Sequence, residues 1–189
     1  SWYWTKEKRY SLHPLSKEIL NSLEKPVHID IYLAVNLNSG FKRLQENSLD
    51  LLYDFEKTSL TSISYDIIDP YRKGKNFIES LADSGMKGVA VNERLSNGRI
   101  SQNIIFPYAL VQYEESHIVV PLLINQSGHS GEENLNLSSE LLEYQFIKAI
   151  DLLTRKEEKN IVFLEGHGEL PEESLSEFLD LLSYEYTID

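Results

Sequence analysis

The chain has 189 residues, 41% of them apolar and 25% charged, a net charge of −12 and no cysteine. That length holds one domain and part of another, and a body of about 150 residues buries roughly 68–70% of its unfolded surface, so no covalent staple is required. Lack of cysteine excludes disulfides, thiolate metal sites, a cysteine nucleophile and thiol redox chemistry, and the acidic charge disfavours nucleic acid as a partner. No apolar run reaches the ~18 residues of a membrane span. The chain starts at Ser1 and not methionine, which points to sequence upstream.

In chain order, Trp2-Tyr3-Trp4 to Tyr10 reads as an aromatic extended segment. Pro14 suits the first turn of a short helix whose apolar stripe is Leu15, Ile19, Leu20 and Leu23, with His13 as a possible cap and Pro26 as its end. Val27–Leu33 alternates as a strand. A loop ending at Gly40 leads into a long helix carrying Phe41, Leu44, Leu51, Leu52 and Phe55 on one face. A strand at Ile63–Ile68, an Asp69-Pro70 turn, and a helix with Phe77, Ile78 and Leu81 closed by Gly85 come next.

From there the pattern becomes hairpins. Val89-Ala90-Val91 pairs with Arg99–Phe106 around Asn97-Gly98, and Tyr108–Tyr113 pairs with His117–Ile124 across Glu114-Glu115-Ser116. Pro107 marks a bulge or an edge. Gln126–Asn136 reads as a polar loop, and Ser138 or Ser139 caps a helix with Leu142, Phe146, Ala149, Ile150 and Leu153, with Arg155-Lys156 in its last turn. A charged linker, Lys156–Asn160, precedes a strand Ile161–Leu164 and a helix starting at Pro171. Strand, helix, strand, helix, strand meander, helix predicts an α/β fold with a parallel pair and antiparallel strands added by the hairpins. This order resembles a thioredoxin-like mixed sheet with flanking helices, including a proline, Pro107, where such folds usually carry one in cis. The expected organisation is residues 1–25 as an N-terminal strand and helix, 26–156 as the thioredoxin-like domain without redox cysteines, and 157–189 as the first strand–loop–helix of a second α/β domain cut short.

Among candidate chemistry, Glu165-Gly166-His167-Gly168-Glu169 stands at the carboxyl end of a predicted strand, where open α/β sheets bind ligands. Its histidine between carboxylates suits a general base or a metal ligand. The same residues also read as a tight turn followed by helix-start acids, and short motifs are weak, so this plainer reading weighs more. No His-x-x-x-His pair offers a third ligand, and no metal or cofactor is assigned. His129, in Gly128–Glu133, reads as part of a solvated loop. Ser127 and Ser130 lack a nucleophile-elbow context. Arg43 is a candidate anion contact or a solvated face. His13, His28 and His117 read as structural or surface residues, and Gly74, Gly85 and Gly88 form no phosphate cradle.

Four segments carry a family resemblance: Lys8–Leu12, Gly40-Phe41-Lys42-Arg43-Leu44-Gln45, Ile105–Val111, and Phe163–Glu169. Through them the chain resembles the extracytoplasmic part of the gliding-motility-associated ABC transporter auxiliary proteins, the GldG type of Bacteroidetes-type bacteria. The resemblance implies a non-catalytic, membrane-anchored component at the periplasmic face of the inner membrane, with an ABC permease and ATPase as partners and a link to gliding or secretion machinery. Its membrane segments would flank the present chain. It brings no catalytic residues; Glu165, His167 and Glu169 match its motif with their role open. Two other function classes stay open: metal-assisted hydrolysis by His167 with Glu165 or Glu169, and sugar or peptide binding on Trp2, Trp4 and tyrosines.

Overall fold

The computed structural model describes residues 11–159. The opening aromatic segment, the strand at Ile161, the helix at Pro171 and the Glu165–Glu169 loop lie outside the described residues.

Helix α1 spans Pro14–Asn21, with Pro14 in its first turn and the His13 side chain accepting from Leu15 N at 3.1 Å. Strand β1 is Val27–Ile31. Helix α2, Ser39–Thr58, is capped by Asn38, whose Oδ1 accepts from Phe41 N at 3.0 Å; its buried stripe runs from Phe41 to Phe55. Strand β2 is Ile63–Ile67, followed by a 3₁₀ turn, Pro70–Lys73, and helix α3, Lys75–Asp83. Gly85 does stop α3, in a left-handed conformation (φ 88°). Met86 N donates to Leu81 O and Gly85 N to Ala82 O, the paired bonds of a Schellman terminus, and Leu81 and Met86 are buried together.

Strands β3, Val89–Arg94, and β4, Ile100–Ile105, form a hairpin. Its loop is Ser96-Asn97-Gly98: Gly98 N donates to Leu95 O, Gly98 takes φ 84°, and Leu95 N closes the loop onto Arg99 O. Strands β5, Tyr108–Tyr113, and β6, Ser116–Pro121, form the second hairpin across Glu114-Glu115.

The main sheet has the order β2-β1-β5-β6, with β1 and β2 parallel and the other neighbours antiparallel. That is the strand order and direction of a thioredoxin-like sheet, and the α/β class stands. Two expectations need correction. The β3–β4 hairpin adds no strand to this sheet and makes its own two-stranded one. Phe106 and Pro107 separate β4 from β5; Phe106 is buried beside α3, and Pro107, which has no N–H for a ladder, offers its carbonyl to Leu122 N. Pro107 is also trans, as is every peptide bond among the described residues.

Helix α4, Gly131–Lys159, starts seven residues before Ser138 and runs through most of the expected charged linker. The cap is Ser130: Glu133 N donates to Ser130 Oγ and Ser130 N donates to Glu133 Oε1, both at 3.1 Å. This is a reciprocal Ser-x-x-Glu capping box. Ser138 lies buried inside the helix, accepting from Ile124 N and donating to Asn134 O, and so fastens the chain leaving β6. Arg155 is not terminal; it pairs with Asp151 one turn back.

Helices α1, α2 and α4 cover one sheet face. Ile29, Ile31, Leu44, Leu52, Ala109, Val111 and Ile150 fill the interior there, and Phe55 meets Phe146 edge-on with ring centroids 6.5 Å apart. Buried Glu143 of α4 accepts from His13 N (2.8 Å) and Ser16 Oγ (2.5 Å), which fixes the start of α1 to α4. The opposite face carries a smaller cluster of Tyr32, Leu81, Met86 and Phe106 under α3.

Phe146→Ala is expected to lower the unfolding free energy by about 3–5 kcal/mol in chemical denaturation, because a fully buried ring leaves a cavity. Ser130→Ala is expected to cost about 1 kcal/mol, and Ser138→Ala to leave the start of α4 at Gly131.

Candidate functional site

Side chains of β1 alternate. Val27, Ile29 and Ile31 enter the helical core, whereas His28, Asp30 and Tyr32 stand on the other face. Register sets their neighbours: His28 lies between Ser64 of β2 and Gln112 of β5, and Asp30 between Asp66 and Leu110. Toward the end of β1, α3 and Phe106 cover this face; toward its start the polar residues are left partly open.

There the polar groups converge. His28 Nε2 is 2.9 Å from Asp30 Oδ1 and 3.6 Å from Asp66 Oδ2. The other ring nitrogen, Nδ1, is 2.7 Å from Ser64 Oγ. Gln112 Nε2 donates to Asp30 Oδ2 at 3.2 Å. One ligand atom from each of His28, Asp30 and Asp66 lies within 4.8 Å of the other two. His117, expected as a strand residue, is exposed on β6 directly opposite Gln112. Burial, and then the Asp30 charge, raise the Tyr32 phenol above its ordinary value.

A second feature is a cleft of about 430 Å³ at the carboxyl ends of β1 and β2, lined by Ala34, Val35, Ile67, Ile68, Asp69, Arg72 and Lys73. It occupies the edge where open α/β sheets bind ligands. Gln45 holds its rim by donating to Leu33 O (2.9 Å) and Ala34 O (3.0 Å).

The sequence-derived candidates fare differently. Glu165, His167 and Glu169 lie outside the described residues. Arg43 is exposed near the start of α2, belongs to neither the cleft nor the polar cluster, and forms no ion pair among the described residues. His129 is exposed just before α4. His28, which the sequence offers only as a structural or surface residue, is the centre of the polar cluster. A signal was present in the spacing: His28 and Asp30 are two apart in a strand, so they share a face. Asp66 was out of reach, because only the parallel register of β2 brings it beside Asp30.

Fold and site together define a cysteine-free α/β protein with thioredoxin-like strand order and a polar cluster on the open part of its central strand. The chain belongs to the family described as a domain of unknown function (DUF7088), whose model matches residues 6–112. That span contains His28, Asp30, Ser64, Asp66 and Gln112. No curated protein and no solved structure matches the chain.

Burial is the largest influence raising the phenols of Tyr32, Tyr65, Tyr71 and Tyr144 above 10.0. Each therefore keeps its proton to higher pH folded than unfolded. Their contribution to stability is complete below pH 10.0 and is lost as pH rises through the folded-state values. Thermal melts are expected to show this alkaline loss, and the double variant Tyr32→Phe/Tyr144→Phe is expected to lose less between pH 8 and pH 11 than the parent.

Proposed function

We propose that this protein is a non-catalytic, extracytoplasmic binding component of an ABC transporter complex associated with gliding motility, held at the periplasmic face of the inner membrane and docked on the permease. Three of the four segments that carry the family resemblance fall wholly or partly within the described residues. Gly40–Gln45 opens α2, Ile105–Val111 joins β4 to β5, and Ser11-Leu12 leads into α1.

The observation that carries this reading is the β3–β4 hairpin. It stands apart from the main sheet, with free strand edges and exposed Leu95 (42%) and Ile100 (65%) at its far end. Its base is held firmly: Tyr71 Oη donates to Ile104 O at 2.6 Å, and Ile105 and Phe106 are buried. A rigidly based ribbon with two exposed apolar side chains beside a polar turn, and with unpaired edges, suits pairing with another chain. The permease is the partner chosen because the resembling family works with one.

The test uses full-length protein in native membranes, with a photo-crosslinking residue at Ile100. Permease and ATPase subunits are the expected products. Ile100→Glu is expected to change stability by no more than about 0.5 kcal/mol, since the site is exposed, and to reduce permease recovery about tenfold or more. Crosslinking only to unrelated proteins, or undiminished recovery with Ile100→Glu, contradicts the proposal.

A further inference from the structure

The geometry points to a binding site for a divalent transition-metal cation of the zinc type, formed by His28 Nε2, Asp30 and Asp66 on the open half of the sheet. This inference does not depend on the proposed transporter role.

Ligand separations come first. Zinc binds imidazole nitrogen and carboxylate oxygen at about 2.0–2.2 Å, so two tetrahedral ligands stand roughly 3.4 Å apart. The His28–Asp30 and His28–Asp66 separations, 2.9 and 3.6 Å, bracket that value. All three ligand atoms lie within 4.8 Å of one another, and the side chain of Asp66, 66% exposed, is free to close the remaining gap.

Rigidity comes second. His28 and Asp30 sit two apart on the central strand, and Asp66 is Asp30's direct partner on β2, so backbone ladders hold all three Cα positions. A ligand set on paired strands loses little freedom on binding.

The surrounding hydrogen bonds come third. Metal-bound histidines engage their other nitrogen, and metal-bound carboxylates are themselves hydrogen-bonded. Here Ser64 Oγ engages Nδ1, and Gln112, from a third strand, donates to the outer oxygen of Asp30. With Nδ1–H donating to Ser64, the Nε2 lone pair and two carboxylate oxygens converge on one point. A cation at that point takes the place of the proton in the 2.9 Å hydrogen bond between Nε2 and Asp30 Oδ1. One nitrogen and two oxygens suit zinc-type ions better than magnesium, which prefers oxygen alone and keeps its water. Partial exposure of all three side chains leaves a path from solvent and room for water as a further ligand.

The experiment titrates the full chain with Zn²⁺ against a chromophoric chelator, with Co²⁺ as a spectroscopic substitute. One equivalent should bind with a dissociation constant well below about 100 μM. His28→Ala, Asp30→Asn and Asp66→Asn should each weaken it at least about tenfold, and Ser64→Ala should weaken it less. His129→Ala should change nothing, and His167→Ala should leave the site intact. Asp66→Asn, at an exposed position, keeps the test valid if His28→Ala disturbs folding, which circular dichroism reports. No binding below about 100 μM overturns the proposal, as does binding that survives Asp66→Asn and His28→Ala or vanishes with His167→Ala.

Discussion

A strand at the centre of a sheet must send its side chains alternately to the two faces, and β1 turns that constraint into both the core and the site. Ile29 and Ile31 are fully buried against the helices; His28, Asp30 and Tyr32 take the opposite face. A slip of one residue would bury a histidine and an aspartate and expose two isoleucines. The penalty is several kcal/mol for each charged group placed in an apolar core without a partner. Strand β5 obeys the same alternation: Ala109 and Val111 share the core with Ile31 and Ile29, so the pairing of β5 sets the same register.

The two faces are covered unequally. On one, α1, α2 and α4 seal the sheet, and Glu143 secures the start of α1 through His13 and Ser16. On the other, α3 and Phe106 cover only the part around Tyr32. The uncovered part would be costly if it were apolar. Instead it carries His28, Asp30, Ser64, Asp66 and Gln112: the His28 ring hydrogen-bonds Ser64 and Asp30, Gln112 donates to Asp30, and Asp66 stands 3.6 Å from His28 Nε2. Polar character there is the consequence of a sheet with three helices on one side and one on the other. It also gathers metal-ligating groups on a rigid surface.

Much of the fold was legible because it is written in local pattern. Alternation in β1, the apolar stripe of α2, Gly85 after α3 and Asn97-Gly98 in the first hairpin each stand where the pattern puts them. The start of α4 was equally legible, in Ser130 and Glu133 three residues apart, but Ser138 offered a competing cap closer to the apolar stripe. The separation of β3–β4 from the main sheet is a tertiary outcome, decided by where Phe106 is buried. The polar cluster was half legible: His28 and Asp30 follow from strand periodicity, whereas Asp66, Ser64 and Gln112 join them only through pairing between strands distant in sequence.

The most direct test of this account is the pairing of β1, measured by nuclear Overhauser contacts between backbone protons in solution. Ile29 should lie across from Val111 on one side and beside Tyr65 on the other, with the His28 ring near Ser64 and Asp66. Contacts shifted by one residue, or the His28 ring among the protons of Leu44 and Phe146, would contradict it.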